Sequence, residues 1–181
     1  MDQSNQLKSF FSSTKWRSSI DRFSLSGNAL VDQVNALEPR IVVDVGCGFN
    51  PFKGKIRNLI GIDLANDHAD LICDLSDGPF AQGSIDIVLA LGSINFGDED
   101  DIRSALATVG NWLRPGGRIF MRANPGEPIG EGIIVFPWST QYVEKFADLL
   151  GFRIISPIQE EDLVLSNGVP AHRLFWIYQK N

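Results

Sequence analysis

Residues 41–51 read Ile-Val-Val-Asp-Val-Gly-Cys-Gly-Phe-Asn-Pro, and this stretch decides the fold. A run of β-branched apolar residues is typical of a buried parallel strand. The strand leads into an acid and two glycines, Asp44, Gly46 and Gly48, as expected where a chain enters a tight loop that a ligand approaches closely. The pattern predicts a strand over residues 41–45 and a ligand-binding loop directly after it.

The rest of the chain alternates predicted strands with predicted helices. Further strands are predicted at 58–63, 70–73, 85–91, 118–123, 152–157 and 171–179. Helices are predicted from 28 to about 37, from 98 to about 113 and from 139 to about 150. This alternation implies parallel crossovers, whereas the last two strands have no clear helix between them and are expected to pair antiparallel. The prediction is an α/β, doubly wound, mostly parallel seven-stranded sheet with an antiparallel final strand.

Composition narrows the class of protein. The chain has 181 residues, a net charge of −6 and a hydrophobic fraction of 44%, as expected for one globular domain that does not bind nucleic acid broadly. No stretch resembles a membrane span or a signal peptide. Cys47 and Cys73 match no metal spacing, so a cytoplasmic location is expected and no metal site is predicted. The acids at 98–101 are expected to cap a helix, with metal binding as the alternative.

The composition changes once along the chain. Residues 1–27 are rich in serine and other polar residues, with Phe10, Phe11 and Trp16 among them. This segment is predicted to be either a helix that packs its aromatic side chains on the sheet or a mobile lid or acceptor-recognition segment. Residues 28–181 are predicted to form the main domain.

Two further stretches agree with the motif order of one known family. Asp77-Gly78-Pro79-Phe80 leads towards the fourth predicted strand, and Leu113-Arg114-Pro115-Gly116-Gly117-Arg118 precedes the fifth as a turn. With Asp44-x-Gly46-x-Gly48 and Asn50, they resemble the class I S-adenosylmethionine (SAM)-dependent methyltransferases over roughly residues 40–125. The resemblance implies a methyltransferase that uses SAM and releases S-adenosylhomocysteine.

The resemblance also implies a cofactor site. The glycine loop would hold the methionine part of SAM, with Asp44 orienting the loop or facing the ammonium group. Asp63 ends the second strand, where its carboxylate can accept both ribose hydroxyls. Asp74 would face the adenine amino group. The predicted cofactor-binding residues are Asp44, Gly46, Cys47, Gly48, Asn50, Asp63, Leu64, Asp74, Leu75, Leu91 and Gly92.

Within this family, the whole chain looks most similar to the small methyltransferase-like proteins encoded by marine bacteriophages. The similarity lies in residues 45–54, 91–97, 122–126 and 136–139. It implies a bacteriophage protein that works in the host cytoplasm and says little about the methyl acceptor.

The acceptor is expected at the ends of the fourth and fifth strands, near the reactive methyl group. The candidate acceptor contacts are Ser93, Asn95, Arg122, Asn124 and Trp138. Local capping explains Ser93 and Asn95 equally well, and an ion pair explains Arg122 equally well. The long segment 124–138 is either a functional loop or a surface connection.

No general base is predicted. His68 is expected at the surface, and His172 at the start of the last strand is expected to be structural. Cys47 is expected to be a small loop residue rather than a reactive thiol, and neither cysteine follows a proline as cytosine-C5 methylation requires. Methyl transfer depends above all on proximity and alignment, with a base needed only for some acceptors.

The sequence therefore predicts a SAM-dependent methyltransferase whose acceptor is a small molecule, a protein or a nucleic acid. The first alternative is a non-catalytic module that binds SAM or a partner on the same fold. The second is a nicotinamide-binding protein, which Pro51 disfavours because a third glycine is expected there in the dinucleotide motif.

Overall fold

The computed structural model describes residues 3–12, 28–125, 132–164 and 170–181. Its strands are β1 Val42–Val45, β2 Leu59–Asp63, β3 Leu71–Ile72, β4 Ile85–Leu91, β5 Leu113–Ala123, β6 Phe152–Ile154, β7 Gln159–Val164 and β8 Pro170–Lys180. Its α-helices are α1 Gln3–Phe11, α2 Asn28–Asn35, α3 Glu99–Trp112 and α4 Thr140–Leu150. The three helices predicted in the main domain correspond to α2, α3 and α4.

The strands form one sheet in the order β3-β2-β1-β4-β5-β8-β6, and β7 also pairs with β8. The strands from β3 to β5 are parallel, whereas β8 runs antiparallel to β5, β6 and β7. The predicted doubly wound, mostly parallel sheet with an antiparallel final strand is confirmed. In such sheets, ligands bind beyond the carboxyl ends of the strands where the strand order reverses, which here is between β1 and β4.

The described residues form eight strands rather than seven, because β7 at Gln159–Val164 was not predicted, and the predicted strand 152–157 is shorter than expected. β6 ends at Ile154, and β7 then pairs with an earlier part of the same strand, β8. Between them, Ser156 Oγ accepts a hydrogen bond from Ile177 N at 2.8 Å. Pro157 follows and has no N–H to donate to a strand ladder.

The apolar residues of the strands alternate between the two faces of the sheet. One core cluster joins Val43, Val88 and Ile119 to α3 and α4. A second cluster joins Val42, Leu89 and Phe120 to α2. Because successive side chains of a strand point to opposite faces, both faces of the sheet are buried under helices.

The start of α3 is fixed by the acids at 98–101. Asp98 Oδ1 accepts hydrogen bonds from Asp100 N at 2.9 Å and Asp101 N at 3.1 Å. Asp101 Oδ2 in turn accepts a bond from Asp98 N at 3.0 Å. This reciprocal arrangement is a capping box, as the predicted helix start requires. The described residues contain no group of His, Cys, Asp or Glu side chains suited to a metal ion.

β5 begins at Leu113, earlier than the predicted start at 118. Ile85 pairs with Leu113 and Ile87 with Arg118, so Asp86 alone faces residues 114–117. The predicted Pro-Gly-Gly turn is therefore a bulge inside β5 rather than a connection before it.

The buried Asp86 carboxylate is held in its charged form by its hydrogen bonds. Burial by itself raises the pKa of Asp86, but hydrogen bonds from Arg114 and from the backbone N–H groups of Ile41 and Arg40 lower it below its ordinary value.

The N-terminal segment is described in part. α1 falls within the predicted segment 1–27, whereas residues 1–2 and 13–27 lie outside the described residues. The division into a segment 1–27 and a domain 28–181 stays a prediction. None of the described helices combines the length and apolar character needed to cross a membrane.

Candidate active site

A cavity of about 420 Å³ lies at the carboxyl ends of β1, β2, β4 and β5. The predicted cofactor-binding residues that line it are Asp44, Gly46, Cys47, Gly48, Asp63, Leu64, Asp74, Leu75, Leu91 and Gly92. The predicted acceptor contacts that line it are Ser93, Asn95, Arg122 and Asn124. The fold therefore brings these segments, distant in sequence, into one site.

The loop after β1 is held by backbone hydrogen bonds. Gly46 N and Cys47 N both donate to Ile62 O, at 2.8 and 3.0 Å. Gly46 and Gly48 have φ angles of +67° and +54°, in the left-handed region that glycine adopts most easily. At Gly46 a methyl group would lie only 2.5 Å from Ser93 Cβ, so glycine also permits the close approach of the loop after β4.

Asp63 ties this loop to the end of β2. Its Oδ2 accepts a hydrogen bond from Gly48 N at 2.9 Å, and its Oδ1 accepts bonds from Ala65 N and Asn66 N, both at 2.9 Å. A carboxylate has about four acceptor positions, so roughly one remains for a ligand in this arrangement. The carboxylate lines the cavity at the position where ribose hydroxyls were expected.

Asp74 lines the cavity and precedes a short 3-10 helix at Leu75–Asp77. Its Oδ1 accepts bonds from the backbone N and the hydroxyl of Ser76, both at 3.0 Å. Its Oδ2 accepts a bond from the hydroxyl of Ser4 in α1 at 2.7 Å. Partial burial by itself raises the pKa of Asp74, but these hydrogen bonds lower it below its ordinary value.

Asp44 lines the cavity and is only 4% exposed. Burial raises the pKa of Asp44 to about 8, while the charge of Arg122 lowers it and that of Asp63 raises it. Its carboxylate has no hydrogen-bond partner within the described part of the chain. A buried carboxyl group in this state favours a cationic ligand beside it.

We expect Asp44→Asn to make the ligand-free protein more stable near pH 8 and to flatten its pH dependence. The pKa of Asp44 is about 8 in the folded protein, against an ordinary value of 3.8 for an aspartate. The unfolded state therefore ionises first, and the free energy of unfolding falls between about pH 4 and pH 8, by several kcal/mol at most. Urea unfolding of both proteins near pH 5 and near pH 8 checks this.

The control for this experiment is Asp67→Asn, since the Asp67 side chain is 93% exposed. That variant should keep the pH dependence of the wild type. An Asp44→Asn protein that loses as much stability as the wild type between the two pH values would contradict the assignment of the raised pKa.

The loops after β4 and β5 are joined by Asn95. Its side chain is 1% exposed, accepts a hydrogen bond from Asn124 N at 3.1 Å and donates one to Asn124 O at 3.3 Å. Two other polar atoms at this end, Ser93 Oγ and Asn124 Oδ1, are buried and have no hydrogen-bond partner among the described residues. The acceptor end thus combines one fixed side chain with two polar groups that a ligand can satisfy.

Arg122 places a cation in the same part of the cavity. Its Nη2 donates a hydrogen bond to Leu91 O at the end of β4. Burial and the nearby charge of Arg173 lower the pKa of Arg122 to about 10, and Asp44 opposes that change. Arg122 is therefore charged at neutral pH.

Two predicted site residues, Asn50 and Trp138, do not line the cavity. Asn50 Nδ2 donates to His68 O at 3.1 Å, and the side chain packs behind the loop against Gly61. Trp138 is 3% exposed, and its Nε1 donates to Ile94 O at 3.1 Å. The geometry places both residues in structural positions, one behind the glycine loop and one in the aromatic core. Residues 126–131, in the predicted long loop, lie outside the described residues.

The other candidate nucleophiles and bases are not arranged for catalysis. Burial and the charges of Asp44, Asp63 and Asp70 raise the pKa of Cys47, which keeps it a neutral thiol. His68 lies beside Phe49 at the surface, with ring centroids 5.5 Å apart, and His172 contacts Asp162 on the β7–β8 hairpin. Neither histidine lines the cavity.

The site also includes residues that the sequence analysis did not select. α1 contributes Ser4, Leu7 and Phe11, and Phe11 meets Phe96 edge-on with ring centroids 5.6 Å apart. The spacing of Leu7 and Phe11 is a helical i, i+4 pair, which indicates one apolar face but not what that face covers. Asp101, Ile102 and Ala105 of α3 line the cavity as well.

Comparisons with known proteins agree with this geometry. Residues 43–121, from β1 into β5, match the family model described as a methyltransferase domain. The chain has the fold of the class I SAM-dependent methyltransferases. A search of curated proteins found no significant match.

Three solved structures of this methyltransferase fold resemble the chain along nearly its whole length. The 1,6-didemethyltoxoflavin-N1-methyltransferase of Burkholderia thailandensis has a TM-score of 0.69 and 14% identity, covering 99% of this chain and 87% of that one. The magnesium protoporphyrin IX methyltransferase of Synechocystis PCC 6803 has a TM-score of 0.69 and 12% identity, covering 100% of this chain and 98% of that one. The geranyl diphosphate C-methyltransferase of Streptomyces coelicolor A3(2) has a TM-score of 0.66 and 12% identity, covering 100% of this chain and 99% of that one.

These neighbours contain the ligands expected from the sequence. The Synechocystis structure holds SAM, and the other two hold S-adenosylhomocysteine. At such low identities the likeness shows the fold alone. The three named acceptors also differ from one another, so the fold does not indicate which acceptor this chain uses.

Proposed function

We propose that this protein binds SAM in the cavity and transfers its methyl group to an acceptor that enters at the ends of β4 and β5. The buried Asp44 carboxylate, which faces the cavity without a hydrogen-bond partner in the described residues, carries the proposal. A buried acid of this kind is stabilised by a cation, and SAM carries an ammonium and a sulfonium group. The glycine loop beside it gives a ligand close access to the backbone.

The proposed roles of the residues follow their order around the cavity. Asp44 faces the ammonium group, and the loop at Gly46–Gly48 holds the methionine part. Asp63 accepts a hydrogen bond from the ribose, and Asp74 with Leu75 binds the adenine. Ser93, Asn95, Arg122 and Asn124 contact the acceptor. Cys47, Leu64, Leu91 and Gly92 complete the cofactor wall.

Once bound, SAM supplies an electrophilic methyl group, whose bond to sulfur breaks as the bond to the acceptor forms. The work of the chain is to bind the two partners next to each other and to align them. Asp44 and Asp63, fixed on neighbouring strands, orient the cofactor, while Asn95 holds the two acceptor loops together.

Calorimetric titration with SAM, S-adenosylhomocysteine and NAD tests this proposal. We expect both adenosyl ligands to bind with micromolar affinity and NAD not to bind. Binding of NAD alone would support the nicotinamide alternative. If neither SAM nor S-adenosylhomocysteine binds, the methyltransferase function is wrong.

A second assay separates the enzyme from a non-catalytic module on the same fold. Protein with labelled SAM is incubated with pools of small molecules, proteins and nucleic acids, and label is followed into each pool. Transfer into one pool identifies an enzyme and its acceptor class. Tight SAM binding without transfer to any pool favours the module.

The setting of this function remains a prediction. The two described cysteines, Cys47 and Cys73, are both free thiols, which supports the expected reducing cytoplasm. The closer resemblance to bacteriophage proteins likewise stays a prediction, with the host cytoplasm as the implied location.

A further inference from the structure

Two nitrogen donors converge above Gly92 at the acceptor end of the cavity. Gly92 follows β4 with φ +110°, and a methyl group in place of its hydrogen would lie 3.3 Å from Arg122 Nη2 and 3.4 Å from Asn124 Nδ2. All three residues line the cavity. Because Gly92 has no side chain, a ligand atom can approach this pair of donors closely.

The hydrogen bonds of this corner of the cavity, formed by Gly92, Ser93, Arg122 and Asn124, leave polar atoms for a ligand. Ser93 Oγ, a hydroxyl that can donate to an anion, is buried without a hydrogen-bond partner in the described residues. Asn124 Oδ1, which can only accept, is also without one there, while Asn124 Nδ2 is the donor beside Gly92. Arg122 already donates to Leu91 O, but a guanidinium carries five N–H donors and serves several partners at once. Buried polar groups without partners are rare unless a ligand or water completes them.

The corner also carries positive charge. Arg122 is charged at neutral pH, and Arg173 is close enough for its charge to lower the pKa of Arg122. Asp44 also acts on Arg122, and its own pKa is about 8. A cation with two convergent N–H donors is complementary to an oxyanion.

Resting on the proposed function, we propose that the methyl acceptor is a small molecule with a carboxylate or another oxyanion, held by Arg122 and Asn124 above Gly92. Arg122 then holds the acceptor in its ionised form, so no histidine is needed to take its proton, and none lines the cavity in the described part of the chain. Because the acceptor gives up negative charge as its bond to carbon forms, the contribution of these donors is to bind the acceptor and to align it.

The competing role for Arg122 is to hold the carboxylate of SAM itself. The position of the donor pair favours the acceptor role, because Arg122 Nη2 and Asn124 Nδ2 converge above Gly92, after β4, rather than in the loop after β1. Arg122 is also close enough to Asp44 for its charge to lower the pKa of that acid. The experiment therefore measures cofactor and oxyanion binding separately.

The test uses trifluoroacetate as an oxyanion probe and trifluoroacetamide as its neutral counterpart, both followed by fluorine NMR line broadening. Each probe is titrated against protein with and without S-adenosylhomocysteine. We expect trifluoroacetate to bind to the wild type more tightly than the amide. Arg122→Met should weaken trifluoroacetate binding roughly tenfold to hundredfold, while affinity for S-adenosylhomocysteine, measured by calorimetry, stays within about threefold.

The matched control is Arg118→Met, on the same strand but outside this cavity. It should leave probe binding unchanged, which separates the corner from general surface charge. Asn124→Ala provides a second variant of the corner, for use also if Arg122→Met does not fold. It should weaken trifluoroacetate binding by a smaller factor.

Each remaining outcome overturns one proposal. Equal binding of the two probes, or full retention of trifluoroacetate binding in Arg122→Met and Asn124→Ala, overturns the oxyanion site. Loss of S-adenosylhomocysteine binding in Arg122→Met assigns Arg122 to the cofactor instead. If the wild type does not bind S-adenosylhomocysteine, the proposed function is wrong, and the probe titration without it still decides whether the oxyanion site exists.

Discussion

Asp63→Ala is expected to weaken SAM binding by roughly a hundredfold or more. The carboxylate holds Gly48 N, Ala65 N and Asn66 N in place and is proposed to accept a ribose hydroxyl. Hydrogen bonds to a charged group contribute about 1.5–3 kcal/mol each, so loss of the ribose bond and of the loop geometry together accounts for this factor. Calorimetric titration with SAM measures it, with a thermal unfolding curve to show that the variant folds.

Two further substitutions make this experiment specific. Asp63→Asn keeps an oxygen for the bonds from Ala65 and Asn66, but an amide nitrogen cannot accept the bond from Gly48, so an intermediate affinity is expected. Asp67→Asn removes an exposed acid nearby and should leave the affinity unchanged. An Asp63→Ala protein that binds SAM within about threefold of the wild type would show that this carboxylate does not serve the cofactor.

The sequence predicted those parts of the site that are fixed by strand ends. Asp44 is the last residue but one of β1, Gly46 follows that strand, and Asp63 ends β2. The carboxyl ends of such parallel strands meet at one edge of the sheet. Their convergence follows from strand order alone. The same reasoning located Arg122 and Asn124 at the end of β5.

Side-chain direction and long-range packing could not be predicted in the same way. Asn50 lies within the correct loop, yet its amide points away from the cavity to His68 O. Trp138 follows a predicted functional loop, but its indole packs against Trp176, with ring centroids 5.0 Å apart. Whether a polar or aromatic side chain faces a ligand or the core depends on partners distant in sequence.

The contribution of α1 to the cavity wall also could not be predicted from the local sequence. Its aromatic residues suggested either packing on the sheet or a lid or acceptor-recognition segment, and the sequence left these alternatives open. The structure places Ser4 against Asp74 and Phe11 against Phe96, so this helix forms part of the cavity wall. A helix pattern reveals which face is apolar, whereas the surface covered by that face is set by the tertiary fold.

Gly46→Ala is expected to lower the stability of the protein by about 2–5 kcal/mol. A φ angle of +67° costs a residue with a Cβ about 1–2 kcal/mol, and a methyl group 2.5 Å from Ser93 Cβ adds an overpacking cost of about 1–3 kcal/mol. Such a loss is a large part of the roughly 5–15 kcal/mol that stabilises a typical domain. Urea unfolding of the ligand-free variant measures it.

Gly48→Ala is the matched control, because it shares the positive φ but has no atom within 4 Å of the added methyl group. It should lose only about 1–2 kcal/mol, the conformational part of the cost. Since Gly48 lines the cavity, the methyl group should nevertheless weaken SAM binding. The two variants therefore separate the glycine that the fold requires from the glycine that the proposed ligand requires.

The double variant Gly46→Ala with Ser93→Gly tests the cause of the larger loss. Removing Ser93 Cβ removes the atom that the new methyl group meets, so the double variant should recover about 1–3 kcal/mol relative to the sum of the single changes. Additive losses would show that the contact between the loops after β1 and β4 does not explain the need for glycine at position 46. A favourable coupling would show that the two loops are held against each other before any ligand binds. The site between β1 and β4, where the strand order reverses, would then be preformed.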